Sequence, residues 1–175
     1  MSRLLRLLPI GIAMMAALGI SCPVAAASTS TRCQTRVYRQ FDFWLGDWDT
    51  FDHGATGKPS IARNHVNAIL GGCVLHEVYE QTDGLTGQSF TIYDADRHVW
   101  HQTWVTNHGQ LLVLEGSLLG SSIVLDGIDH GDHDATIRVS WEKQGDGVRE
   151  VARKSHDGGT SWQPLFDILF RPHHA

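Results

Sequence analysis

Gln40–Phe51, QFDFWLGDWDTF, sets Phe41, Phe43, Trp44, Leu45, Trp48 and Phe51 among Gly46 and the acids Asp42, Asp47 and Asp49. Phe41, Trp44, Leu45 and Trp48 follow the i, i+3, i+4, i+7 spacing of one helix face, which predicts a short helical turn. Trp48–Phe51 then reads as the first strand, with Gly46 as the pivot between the two. A short apolar helix that leads straight into a strand can plug one end of a sheet, which predicts a capped barrel.

Downstream of this stretch the chain alternates short strands with turn signals and shows no convincing long helix. Predicted strands cover 61–70, 73–81, 88–93, 99–106, 111–119, 122–128, 135–143, 148–155 and 162–170. Gly71-Gly72, Asn107-His108-Gly109, Gly120 and Gly145-Asp146-Gly147 punctuate them. About ten strands with turn signals every 8–12 residues argue for an all-β, up-and-down antiparallel barrel or sandwich. A closed barrel leaves no unpaired edge, which suits a small secreted domain.

The start of the chain reads differently. Arg3 and Arg6 precede the apolar run Leu7–Ile20, then Pro23 and Ala25-Ala26-Ala27. This is the pattern of a secretory signal peptide over 1–27, cleaved before Ser28. Lipidation at Cys22 is the alternative, although Gly19-Ile20-Ser21 lacks the leucine such signals carry. The apolar run is short for a bilayer span, which needs ~20 residues. The remainder, 28–175, is read as one domain, exported to the periplasm or beyond.

Removing 1–27 discards two arginines and no acid, so a formal charge of −5 becomes −7. Such a chain has no basic footprint for nucleic acid and no polybasic patch for anionic lipid. Cys33 and Cys73 are then the remaining cysteines, and an oxidising compartment predicts a disulfide between them. Closing that loop is worth about 4 kcal/mol on the chain-entropy account. A pair of free thiols is the alternative.

The G-x-W of Gly46-Asp47-Trp48 resembles the opening of lipocalin-type (calycin) barrels. FDFWLGDWD, GGCVLHE, YDADRHVWHQTWV, LEG, SHDGGTSW and FDILFR together resemble an exported, largely uncharacterised bacterial family of calycin-like proteins. That resemblance implies a ligand-holding barrel with Trp44, Gly46 and Trp48 in its cap. It also implies that Arg171, at the end of the last strand, packs across Trp48 as a cation–π contact. The family carries Gln-x-Trp where this chain has Glu150-Val151-Ala152, so alanine here implies a larger interior.

Alternation puts Trp100, Gln102 and Trp104 on one face of their strand and His101 and Thr103 on the other. Two tryptophans are costly to expose, which places their face inside. Trp100, Trp104 and Tyr93 are then expected as walls around a small, partly apolar molecule, with Gln102 as a polar anchor. A buried amide can equally be satisfied within the protein. Glu77, Glu115 and Glu150 are further candidates, and Leu111–Leu119 is apolar on both faces, so parity does not settle which carboxylates face in. Glu77 and Glu115 could act as an acid/base pair if burial raised one of them.

The histidines and acidic loops raise other chemistry. His76 or His101 would be the proximal ligand if the barrel held haem, but no specific motif accompanies them, and no cofactor is expected. Asp129–Asp134, DHGDHD, has metal-ligating residue types but lacks a third well-spaced histidine, so no metal is assigned. There is no G-x-S-x-G elbow, P-loop or dinucleotide fingerprint. Ser155–Trp162, SHDGGTSW, resembles the Asp-box hairpin, in which Asp157 binds backbone amides and Trp162 packs beneath the turn.

Overall fold

The computed structural model describes residues 33–55 and 57–174. The expected signal peptide, its cleavage site and Cys22 lie outside the described residues. Ten strands follow one another: β1 Gly46–Asp52, β2 Ala62–Ile69, β3 Val74–Gln81, β4 Thr86–Asp94 and β5 Val99–Thr106 in the first half. The second half supplies β6 Leu111–Leu119, β7 Ser122–Asp129, β8 Ala135–Gln144, β9 Gly147–Ser155 and β10 Gln163–Pro172. Each pairs antiparallel with its sequence neighbours, and β1 also pairs with β10, so the sheet closes into an up-and-down barrel. This is the expected fold class, and it is consistent with a calycin-like fold.

Strand period sets what goes inside. On β8, Ala135, Ile137, Val139 and Trp141 are buried while Arg138 is exposed. On β6 the same rule sorts an apolar strand: Leu114 is buried, whereas Leu111, Val113 and Leu119 lie on the outer surface.

The cap precedes β1 as two 3-10 turns, Arg36–Arg39 and Asp42–Trp44. The expected short helical turn is present in 3-10 form, and it hands over to β1 at Gly46. Leu45 is already extended, and Trp48 lies on β1. Phe41 is fully buried and stacks on Trp44 at 5.1 Å between ring centroids. Its ring also meets Trp100 of β5 at 5.7 Å and Trp141 of β8 at 5.3 Å. Polar ties hold this plug in place. Trp100 Nε1 donates to Gln40 Oε1 (3.1 Å), and Trp48 Nε1 donates to the Trp44 carbonyl (3.0 Å). The Cys33–Cys73 disulfide and the Arg39 guanidinium, which donates to the Gly72 carbonyl, anchor it to the β2–β3 turn.

Gly46 is required by the close approach of Trp48: a Cβ there would lie 2.6 Å from Cζ2 of the indole. Gly46→Ala is expected to cost about 1–2 kcal/mol in denaturant unfolding through overpacking. A neutral result would mean that the indole can move aside.

The expected Arg171–Trp48 contact does not form. Trp48 lies opposite Pro172 and Arg171 opposite Asp49, so the two side chains leave the sheet on opposite faces. Arg171 instead places its guanidinium 5.1 Å from the centroid of the Phe51 ring on the outer wall.

The β9–β10 connection is the Asp-box turn. Asp157 accepts hydrogen bonds from the Ser161 amide (2.8 Å) and from the hydroxyls of Ser161 (2.6 Å) and Ser155 (2.7 Å). These donors hold its carboxyl well below the usual range. Gly158 and Gly159 take positive φ, and Trp162 Nε1 donates to the Gly159 carbonyl (3.0 Å). Trp162 thus packs at the turn as the motif implies, with Arg138 over its ring.

Candidate functional site

Because the strands run up and down, the β1–β2, β3–β4, β5–β6, β7–β8 and β9–β10 connections all gather at the end opposite the plug. That end opens into a cavity of about 460 Å³. Its walls include Leu112, Leu114, Ile137, Val139, Ile168 and Phe170, and Asp52 and Asp129 lie at the rim where β1 and β7 end.

The inner part is polar. Glu77 is 5% exposed; its Oε1 accepts from Asn64 Nδ2 (2.9 Å) and its Oε2 from Ser89 Oγ (2.8 Å). Ser89 lies directly across the β3–β4 pair from Glu77. Gln102 Nε2 donates to Thr91 Oγ1 (3.0 Å) and more weakly to Ser89 Oγ (3.5 Å). A connected run of side chains therefore crosses β2–β5 beneath the cavity. Burial pushes the Glu77 carboxyl up to about 7, although the two hydrogen bonds favour its charged form.

Glu150 lies on the opposite wall, level with Trp141 on β8 and Ile168 on β10. The surface it keeps open faces the cavity. Burial raises its pKa well above the usual carboxylate value, and the negative charge of Glu77 raises it further. The Trp141 indole N–H, which has no well-formed hydrogen-bond partner, lies near enough to Glu150 to favour the charged form. The phenol of Tyr79 is pushed up too, by burial first and then by the charges of Glu150 and Glu77.

Among the expected pocket residues, Gln102, Trp104, Glu77 and Glu150 line the cavity. Trp100 and Tyr93 also face inward but sit at the sealed end. Trp100 packs under Phe41, and Tyr93 meets Tyr38 of the cap edge-on at 5.5 Å. They support the plug rather than wall the cavity.

Glu115 is a correction. It pairs across the sheet with His101, on the face opposite Trp100 and Gln102, so it points outward. There it accepts from Arg97 Nη1 (3.0 Å) and His101 Nδ1 (2.8 Å), which hold its carboxyl below the usual range. A Glu77–Glu115 acid/base pair is thus excluded by the wall between them. The same geometry removes the haem alternative at those histidines. His76 stacks on exposed Phe90 and bonds to Gln88 on the outer surface, while His101 is held by Glu115 and Thr103. Among the described residues no group of three or more histidines, cysteines or acids is placed to hold a metal ion.

Tyr79, Trp141, Asp52 and Asp129 also line the cavity, and sequence reasoning missed them. The signal for Tyr79 and Trp141 was present: Tyr79 lies two residues from Glu77, and Trp141 continues the Ile137, Val139 alternation. The rim aspartates had no comparable signal, because they sit where strands end.

Trp104 owes its position to Gly87, where a Cβ would fall 2.3 Å from Cη2 of the indole. The ring therefore lies flat against the wall. Gly87→Ala is expected to turn it into the cavity, shift its fluorescence and cost about 1–2 kcal/mol by overpacking. An unchanged emission spectrum would count against this account.

Compared with protein-family models and with curated proteins, the chain matches none.

Proposed function

We propose that this protein is an exported member of the calycin-like barrels that holds a small, partly apolar molecule in its interior as a carrier, scavenger or sensor. The observation that carries this reading is the cavity: sealed at one end by Phe41 and Trp44, open at the other, apolar along its walls and polar at one inner level. Its volume of about 460 Å³ lies in the range of small-molecule sites, which typically run from about 300 to 1,000 Å³. The Cys33–Cys73 disulfide fits an oxidising compartment and so supports export.

Native mass spectrometry of the purified chain, with thermal shift against a library of small apolar compounds, tests this directly. A retained mass or a ligand-dependent rise in Tm is expected, and Leu112→Trp should abolish it by filling the cavity. A chain that retains nothing and responds to no compound would defeat the proposal.

Acid/base catalysis on the bound molecule is a second reading. It is favoured by one observation, the Glu77 carboxyl titrating at about 7 inside the cavity. Time-dependent conversion of the retained molecule would distinguish it from carriage.

A further inference from the structure

Every charged side chain that lines the cavity is acidic: Asp52, Glu77, Asp129 and Glu150. No lysine, arginine or histidine among the described residues faces it. We infer that the molecule this cavity takes is an organic ammonium, its positively charged nitrogen seated between Glu77 and Glu150 and its apolar part directed toward Tyr79, Trp104, Leu112 and Val139. This rests on the barrel's binding a small molecule, and adds the chemical class.

Two carboxyls facing one enclosed space cannot both ionise cheaply. Their mutual repulsion and their removal from water both oppose it. Without a cation the pair relieves this by keeping a proton, in line with the raised values of both groups. Yet the surrounding donors are arranged for anions. Asn64 Nδ2 and Ser89 Oγ donate to Glu77. Trp141, 1% exposed and lining the cavity, keeps an indole N–H with no well-formed partner beside Glu150. That is a buried donor available to an ionised carboxylate. Among the described residues, no side chain supplies the counter-cation.

An ammonium supplies it, and the proton that the pair retains leaves to solvent as the cation enters. The rings of Tyr79, Trp104 and Trp141 offer faces for cation–π attraction. Acids at the rim, on a chain of net charge −5, favour the approach of cations and oppose that of anions. A fatty acid or other anion would face four acids with no positive partner. A bare metal ion would find two carboxylates in a largely apolar chamber, too few oxygen ligands for a hard cation.

The test uses two matched sets on the full chain at pH 8 by isothermal titration. The first set is tryptamine, tryptophol and indole-3-propionate; the second is octylamine, octanol and octanoate. The amine is expected to bind at least tenfold more tightly than the alcohol of the same skeleton, with proton release seen as a buffer-dependent heat. The acid should bind weakest. Glu150→Gln is expected to remove the amine's advantage over the alcohol of the same skeleton, with a Tm no lower than the parent's. Glu77→Gln should do the same, which separates charge recognition from a folding defect at either position. An alcohol or acid that binds as well as its amine would overturn the inference and leave the binding reading standing. Binding by none of the six would overturn both.

Discussion

Phe41→Ala is expected to lower the unfolding free energy by about 3–5 kcal/mol, the cost of truncating a fully buried aromatic side chain. Phe41 is 0% exposed, and its ring touches Phe43, Trp44, Trp100 and Trp141. Those partners come from the cap, from β5 and from β8, so one side chain ties the plug to two separate strands of the barrel wall. Its removal leaves a void that the 3-10 turns cannot close, because the disulfide and the Arg39–Gly72 contact fix where they sit. Urea unfolding followed by tryptophan fluorescence measures the loss. A change below about 1 kcal/mol would show that the cap is ornamental to stability, against the packing described above.

The second large effect depends on pH. The Glu77 pKa is raised from 4.5 to about 7 by burial. Below pH 4.5 the carboxyl is neutral in both folded and unfolded chains and carries no penalty. As pH rises from 4.5 to 7 the unfolded chain releases its proton while the folded one keeps it, so stability falls. Above 7 the loss levels off at about 3 kcal/mol, taking about 1.4 kcal/mol per pKa unit. Glu150 shifts in the same direction and adds to the fall.

Glu77→Gln should remove the Glu77 share. The variant is expected to match the parent near pH 4.5 and to exceed it by about 3 kcal/mol at pH 8. Glutamine can keep both neighbours: Ser89 still donates to the amide oxygen, and a flip of Asn64 brings its Oδ1, unpartnered in the parent, to the new N–H donor. Carboxyls held low by their partners, such as Glu115 and Asp167, act with the opposite sign, losing stability as pH falls below about 4. Those contributions cancel in the difference between variant and parent. A difference that stays flat from pH 4.5 to 8 would refute the assignment.

Strand order and most strand limits were legible because each hairpin carries its own turn chemistry, as at Gly71-Gly72 and Gly145-Asp146-Gly147. Inward and outward faces were legible wherever one face was plainly polar, as on β5. Three things were not. Leu111–Leu119 is apolar on both sides, so the outward direction of Glu115 emerged only from its register with His101. Alternation gives the side a residue faces but not its height along the barrel axis. Trp100 was therefore placed on the correct face yet lies under the plug, two residues short of Gln102 at the cavity. Finally, the relation of Arg171 to Trp48 depends on a one-residue offset across the β1–β10 pair, which no local pattern encodes.

That same seam has a kinetic consequence. Its last contact joins His173 to Asp49, residues 124 apart in the chain, and the cap meets Phe170 of β10 through Trp44. Neither closure of the barrel nor seating of the plug can finish until the final strand is present. Nine strands can form as successive local hairpins, but the tenth must bring the two ends together against a loop-closure entropy that earlier steps avoid. A chain halted before Gln163 is expected to remain an open, curled sheet with two bare edges, prone to self-association until it meets its missing strand.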